Sequence, residues 1–168
     1  MKVYCTHMRK AIFLMAVLSL SILTTTSCNI GQKEGFVIYL AESGEIILTE
    51  NEIEMYNSDE NALELNEDGI KKWNAHLTYQ DVPKLADSLF AHEFILEIEG
   101  KKICRGAFWS GASSTSFSGV VILDSLFKLD SSHNTLWIKS GYSSNNKELE
   151  LSVSSELYHF FDKRNLLK

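Results

Sequence analysis

The alternation on either side of Glu99-Gly100 is the strongest constraint on the fold of this chain. Phe94, Leu96 and Ile98 alternate with Ile95, Glu97 and Glu99, and after Gly100 the run Lys102 to Phe108 returns. A period of two turns every second side chain to the same face of a sheet. Glycine after an acidic residue suits the positive φ of a tight hairpin turn. An antiparallel hairpin with one apolar face is therefore expected.

Other segments extend the pattern. Phe36 to Leu40 is continuous enough in apolar residues to be a buried strand, and Ser43-Gly44 turns the chain into Ile46-Ile47-Leu48. Ala62 to Leu65 alternates as a half-exposed strand, while Val120 to Leu123 and Thr135 to Ile138 read as buried ones. Thr49 and Glu52 have capping-box spacing, which predicts a short helix over Glu50 to Tyr56. Asn66 is a good N-cap, and Ile70, Trp73, Asn74 and Leu77 recur at helical spacing, predicting an amphipathic helix over Glu67 to Leu77. The chain is irregular around Pro83, with a helical turn or two expected between Lys84 and Phe90. Ser155 to Leu167 has helical character, with Leu157, Phe160 and Phe161 on one side. Trp73, Phe94 and Trp137 fall at core-facing phases. The fold expected is α+β, a mainly antiparallel sheet with two or three helices packed on one face, in a single domain over 35–168.

Composition narrows the function classes. The 168 residues are 45% hydrophobic and 23% charged, which argues against disorder, collagen-like repeats and a polytopic membrane protein. The net charge of −6 argues against a nucleic-acid binder, which would need a basic face.

The first 27 residues read as a signal peptide. Lys2, Arg9 and Lys10 precede an apolar run from Ala11 to Leu23, too short to span a bilayer and the right length for a secretory core. Thr24, Thr25, Thr26 and Ser27 then lead into Cys28. This arrangement resembles the lipobox of bacterial lipoproteins, although that family usually has leucine where this chain has Thr25. The resemblance implies lipidation at Cys28, a tether over 28–34 and an extracytoplasmic protein held at the cell membrane or outer membrane. Simple cleavage nearby and retention as an uncleaved anchor are the alternatives. Without residues 1–27 the chain keeps 13 basic and 22 acidic residues, a charge of −9. Cys104 would then be the cysteine left without a lipid, so an internal disulfide is not expected. Its neighbours are apolar enough for a buried, inert thiol.

Candidate chemistry centres on Ser110 to Ser118, which reads Ser-Gly-Ala-Ser-Ser-Thr-Ser-Phe-Ser. A nucleophile elbow needs Gly-x-Ser-x-Gly, and here Thr115 stands where the second glycine belongs. The loop could instead offer amides and hydroxyls to a ligand or partner, with Ser113 and Ser114 at its centre and Phe108, Trp109 and Phe117 as apolar walls. His76, His92, His133 and His159 are scattered, with none at metal-ligand spacing. Asp59 to Asp68 lacks the central glycine and alternate ligands of a calcium loop. No glycine-rich phosphate cradle is present. Neither a metal nor another cofactor is expected.

One order of motifs is similar to the periplasmic head region of the SecD-type preprotein-translocase accessory proteins. It runs from Ile47-Leu48-Thr49 through Glu52, on to Leu65-Asn66-Glu67-Asp68-Gly69, and ends at Gly100-Lys101-Lys102. The resemblance covers Phe36 to Val121 and implies an α+β module that engages exported polypeptides. The family's multispanning membrane part is missing from this sequence, and Glu99 stands where the family tends to have aspartate. The expected role is a lipid-anchored, non-enzymatic binding module for a protein or peptide, meeting it at an exposed sheet edge or at the Phe108 to Phe117 region. A small-ligand binder, or an enzyme whose site is dispersed in sequence, is the alternative.

Overall fold

A computed structural model describes residues 35–79, 83–124, 126–142 and 147–168. The expected signal segment, Cys28 and the tether lie outside the described residues. Over the described residues the fold is α+β, an eight-stranded mixed sheet with two helices. In chain order the strands are β1 (Phe36–Leu40), β2 (Ile46–Thr49), β3 (Ile53–Asn57), β4 (Ala62–Leu65), β5 (Leu77–Tyr79), β6 (Pro83–Leu85), β7 (Glu93–Ile98), β8 (Lys101–Ser110), β9 (Phe117–Asp124) and β10 (Thr135–Tyr142). Helix α1 is Glu67–Asn74 and α2 is Lys147–Lys163.

The sheet runs β2-β1-β7-β8-β9-β10-β4-β3, while β5 and β6 pair separately. Its two outermost strands, β2 and β3, are therefore neighbours in the chain. Only the 3₁₀ turn Glu50–Glu52 joins them. A flat sheet of this size would be about 34 Å wide, whereas the chain from Thr49 to Ile53 reaches at most about 14 Å. The sheet has to curl until its rims approach. The rim at β3 is not left open: the Tyr56 amide donates to the Leu166 carbonyl at 2.8 Å, and the Lys168 amide donates to the Tyr56 carbonyl at 2.9 Å.

The concave side holds the main core. Phe36 and Ile38 of β1, Phe94 and Leu96 of β7, Phe108 of β8, Val120 and Ile122 of β9 and Leu136 and Ile138 of β10 share one buried cluster with Trp73 of α1 and Leu157 and Phe161 of α2. The Phe161 ring lies 5.5 Å from Phe36 and 5.4 Å from Tyr56. The β7–β8 hairpin forms as its alternation predicts, with Glu99 and Gly100 at φ 51° and 77°. Ladder β8–β9 is parallel, pairing Gly106 with Val120 and Ser110 with Asp124. The other ladders are antiparallel.

Several expectations are corrected. The capping box at Thr49 and Glu52 forms, yet the helix expected to Tyr56 stops after one turn. Ile53 and Tyr56 instead enter β3, opposite Leu65 and Leu63, where both become buried. Helix α1 ends at Asn74, and Leu77 is buried as the first residue of β5. Pro83 begins β6, and the expected helical turn is confined to Ala86, whose carbonyl accepts from Leu89 and Phe90. Ala62, Leu63 and Leu65 are all buried, so β4 is not half-exposed; it lies between β10 and β3. Trp137 is half-buried and outside the main core.

Candidate functional site

The serine-rich segment belongs to an unusual connection. Parallel strands ordinarily need a crossover of a dozen or more residues, and β8 is joined to β9 by the six residues 111–116. Parallel pairing places the end of β8 and the start of β9 at opposite ends of their ladder. The connection must return along a face of the sheet, and it takes the convex one. The Trp109 indole N–H donates to the Thr115 carbonyl at 3.3 Å.

Strand parity then separates the residues that the sequence grouped. Phe108 points into the concave core, 0% exposed, with its ring 5.1 Å from Phe94 and 6.1 Å from Trp73. It is not a wall of the loop. Trp109, one residue on, faces the convex side and packs with Ala107 and Val121 in a second buried cluster, flanked by Phe90, Phe117 and Leu123. Its ring centroid lies 5.4 Å from each of Phe90 and Phe117. Small residues make room for the rings. Ala107 lies on the same face two residues before Trp109, and a Cβ on Gly119 would come within 2.7 Å of the Phe117 ring. Trp109 itself is only 8% exposed, so it supports the face more than it presents it.

The loop is tied at both ends. Asp124, buried at the end of β9, accepts from the Gly111 amide at 3.2 Å and from the Leu85 amide at 3.3 Å. The Ser110 hydroxyl accepts from the Ala112 amide at 3.3 Å. Ser113 accepts from the Thr115 amide at 3.2 Å, and its hydroxyl lies 2.9 Å from that of Thr115. Ser114 is exposed and Phe117 half-buried. The structure thus brings Trp109, Ser113, Ser114 and Phe117 to one convex surface. It adds Phe90, Leu123 and Trp137, which the sequence reading missed as site residues. Trp137 is opposite Leu123, itself opposite Trp109, so the alternation of β8, β9 and β10 carried the signal once their pairing was known.

Burial pushes the Cys104 thiol up to about 12, against a weaker opposing pull from Lys102. On β1, the Tyr39 phenol donates to Glu97, and that bond raises its pKa to about 12. Asp130 is held below the usual carboxylate range, first by the Ser132 amide and then by His133. Among the described residues no group of three or more His, Cys, Asp or Glu side chains is placed to hold a metal ion. No described helix is long and apolar enough to cross a membrane.

No protein-family model matches the chain, and no curated protein or solved structure matches it either.

Proposed function

We propose that this chain is a lipid-anchored binding module of the cell envelope, tethered through Cys28, that engages a protein or peptide on the convex face of β8–β9–β10 without catalysing a reaction. The observation that carries this reading is the second apolar cluster. Trp109 and Val121 build a buried patch on the face opposite the main core, with half-buried Phe117 and Trp137 on the same face. Such a face, aromatic and rimmed by hydroxyls, has the composition of a recognition surface. In this reading the sheet is antiparallel-dominated and both helices occupy its concave side, which leaves the convex side for contact. The lipobox-like run before Cys28 supports the anchor. The likeness to the SecD-type head supports a polypeptide partner, and rests on Thr49–Glu52, Asn66–Gly69 and Gly100–Lys102.

The test is photocrosslinking in intact cells. A benzophenone amino acid at Ser114 should trap a discrete partner, and the same probe at exposed Asp59 should not. Equal yields at the two positions would count against the convex face. Fractionation tests the anchor, because Cys28→Ala should release the protein from membranes; a variant that still pellets would remove lipid on Cys28 as the tether.

A further inference from the structure

Beside the start of α1 a groove of about 460 Å³ opens between β3 and the segment 131–134. Its size falls in the range of small-ligand sites, about 300–1,000 Å³. Its amide side chains are already committed. Asn66 Oδ1 accepts from the Gly69 amide at 3.0 Å and its Nδ2 donates to the Asn51 carbonyl at 2.7 Å. Asn134 Nδ2 donates to the Leu65 carbonyl at 2.8 Å, and the Leu65 amide returns a bond to the Asn134 carbonyl at 2.9 Å. These bonds hold the amides in place and leave the carboxylates of Glu54 and Glu67, with the hydroxyl of exposed Ser131, as the groove's open polar groups.

Both carboxylates are exposed, and among the described residues no Lys, Arg or His lies within ion-pair distance of either. Glu54 takes only a 3.5 Å contact from the Asn134 amide. The adjoining surface already seats one ammonium. Lys168 Nζ lies 2.6 Å from Glu64, and the fields of Glu60 and Glu54 help to keep it charged. The groove adds half-buried Ile70, an apolar surface on which a methylene stem can lie.

We propose that this groove takes a lysine side chain of a polypeptide partner, with its ammonium at Glu54 and Glu67 and its methylenes against Ile70. The inference rests on the polypeptide-binding role proposed above and adds a second contact to it, on the other side of β10 from β8 and β9. The groove is acidic and its amides are hydrogen-bonded in place, so charge selects the ligand and walls already held reduce the ordering that binding requires.

The experiment uses the full chain in detergent micelles and a blocked glycine pentapeptide with one central lysine. Saturable amide shifts in ¹⁵N NMR are expected at Gly69 and Asn134. Binding should weaken at least tenfold in the double variant Glu54→Gln, Glu67→Gln, and should vanish when the peptide lysine is acetylated. Unchanged affinity in the double variant, equal binding of the acetylated peptide, or absence of saturable shifts at these amides would overturn the proposal. Tighter binding of 1,5-diaminopentane than of the peptide would overturn its polypeptide part. The acetylated peptide acts on the unmodified protein, so this arm stands even where the double variant fails to fold. Crosslinking at Ser114 reports the parent reading separately. A crosslink with no peptide binding removes the groove alone, and loss of both removes both.

Discussion

Arg164 Nε donates to the Glu50 carboxylate at 2.5 Å, and the same guanidinium lies 4.0 Å above the Phe160 ring. This joint fastens the chain just after α2 to the turn that connects the two rims of the sheet. Both side chains are less than a third exposed, so solvent screens the pair only in part.

Arg164→Ala is expected to cost about 1–2 kcal/mol from the ion pair and the cation–π contact together. That lowers Tm by roughly 3–8 °C in a domain of this size. Removing Leu166–Lys168 should cost more although it keeps Arg164, because it strips the Tyr56 amide and carbonyl of these partners and takes Leu166 and Leu167 from the edge of the core. Thermal unfolding of Arg164→Ala, Glu50→Ala and the double variant gives the coupling directly. Strictly additive losses would mean that the joint carries no interaction energy.

Trp109→Ala should destabilise by about 3–5 kcal/mol, as should Phe108→Ala, because each empties a packed site on its own side of the sheet. Phe117→Ala, at a half-buried position, should cost less than either. Urea titrations rank the three. A near-neutral Trp109→Ala would show that the indole is not packed beneath the loop.

Asp124→Ala leaves the Leu85 amide without its acceptor in a buried setting and removes the part-buried bond to the Gly111 amide at the exposed start of the loop. A loss of about 1–3 kcal/mol is expected, mostly from the buried Leu85 amide. Asp124→Asn keeps one acceptor oxygen and should lose less. Hydrogen exchange at Gly111 should accelerate at least tenfold in Asp124→Ala; protection equal to the unaltered protein would show that another group holds the loop.

Tyr39 should resist ionisation. Its pKa in the folded state is about 12, against an ordinary value near 10. The protonated phenol is thus favoured by folding, and the stability it brings is fully present below about pH 10 and lost as pH rises through 12. Glu97→Ala should return the phenol toward its ordinary range, read as tyrosinate absorbance in the variant against the unaltered protein. Cys104 follows the same sign through burial, so iodoacetamide at pH 8 should leave it unmodified until the domain unfolds. Mass analysis of the Cys104 peptide reads this, and alkylation at the same rate in folded and denatured protein would refute the buried placement.

Legibility from sequence followed the range of the interactions. The Thr49–Glu52 box, the Asn66 cap and the Glu99-Gly100 turn are contacts across three residues or fewer, and all three form. What followed the Thr49–Glu52 box was misread because β3 is set by pairing with β4 and by Leu166–Lys168, the latter over a hundred residues away. Phe108 and Trp109 were grouped as two walls of one site, although neighbours in a strand face opposite ways. Applying the parity of Cys104, Gly106 and Phe108 would have divided them. Trp137 and the Glu54–Glu67 groove were out of reach for a different reason. Each depends on strands that meet only after β10 enters between β9 and β4.

That order of entry has a consequence for the way the domain is made. Residues 36–65 supply the strands at both rims, and the strands that bridge them, β7 to β10, are synthesised afterwards. An emerging chain first holds two separate hairpins, β1–β2 and β3–β4, each with an unpaired edge waiting for a distant strand. Long-range closure of this kind is slow. The rim at β3 is therefore closed only after Leu166–Lys168 have been made, so the last residues of the chain complete a sheet whose first strands are among its earliest.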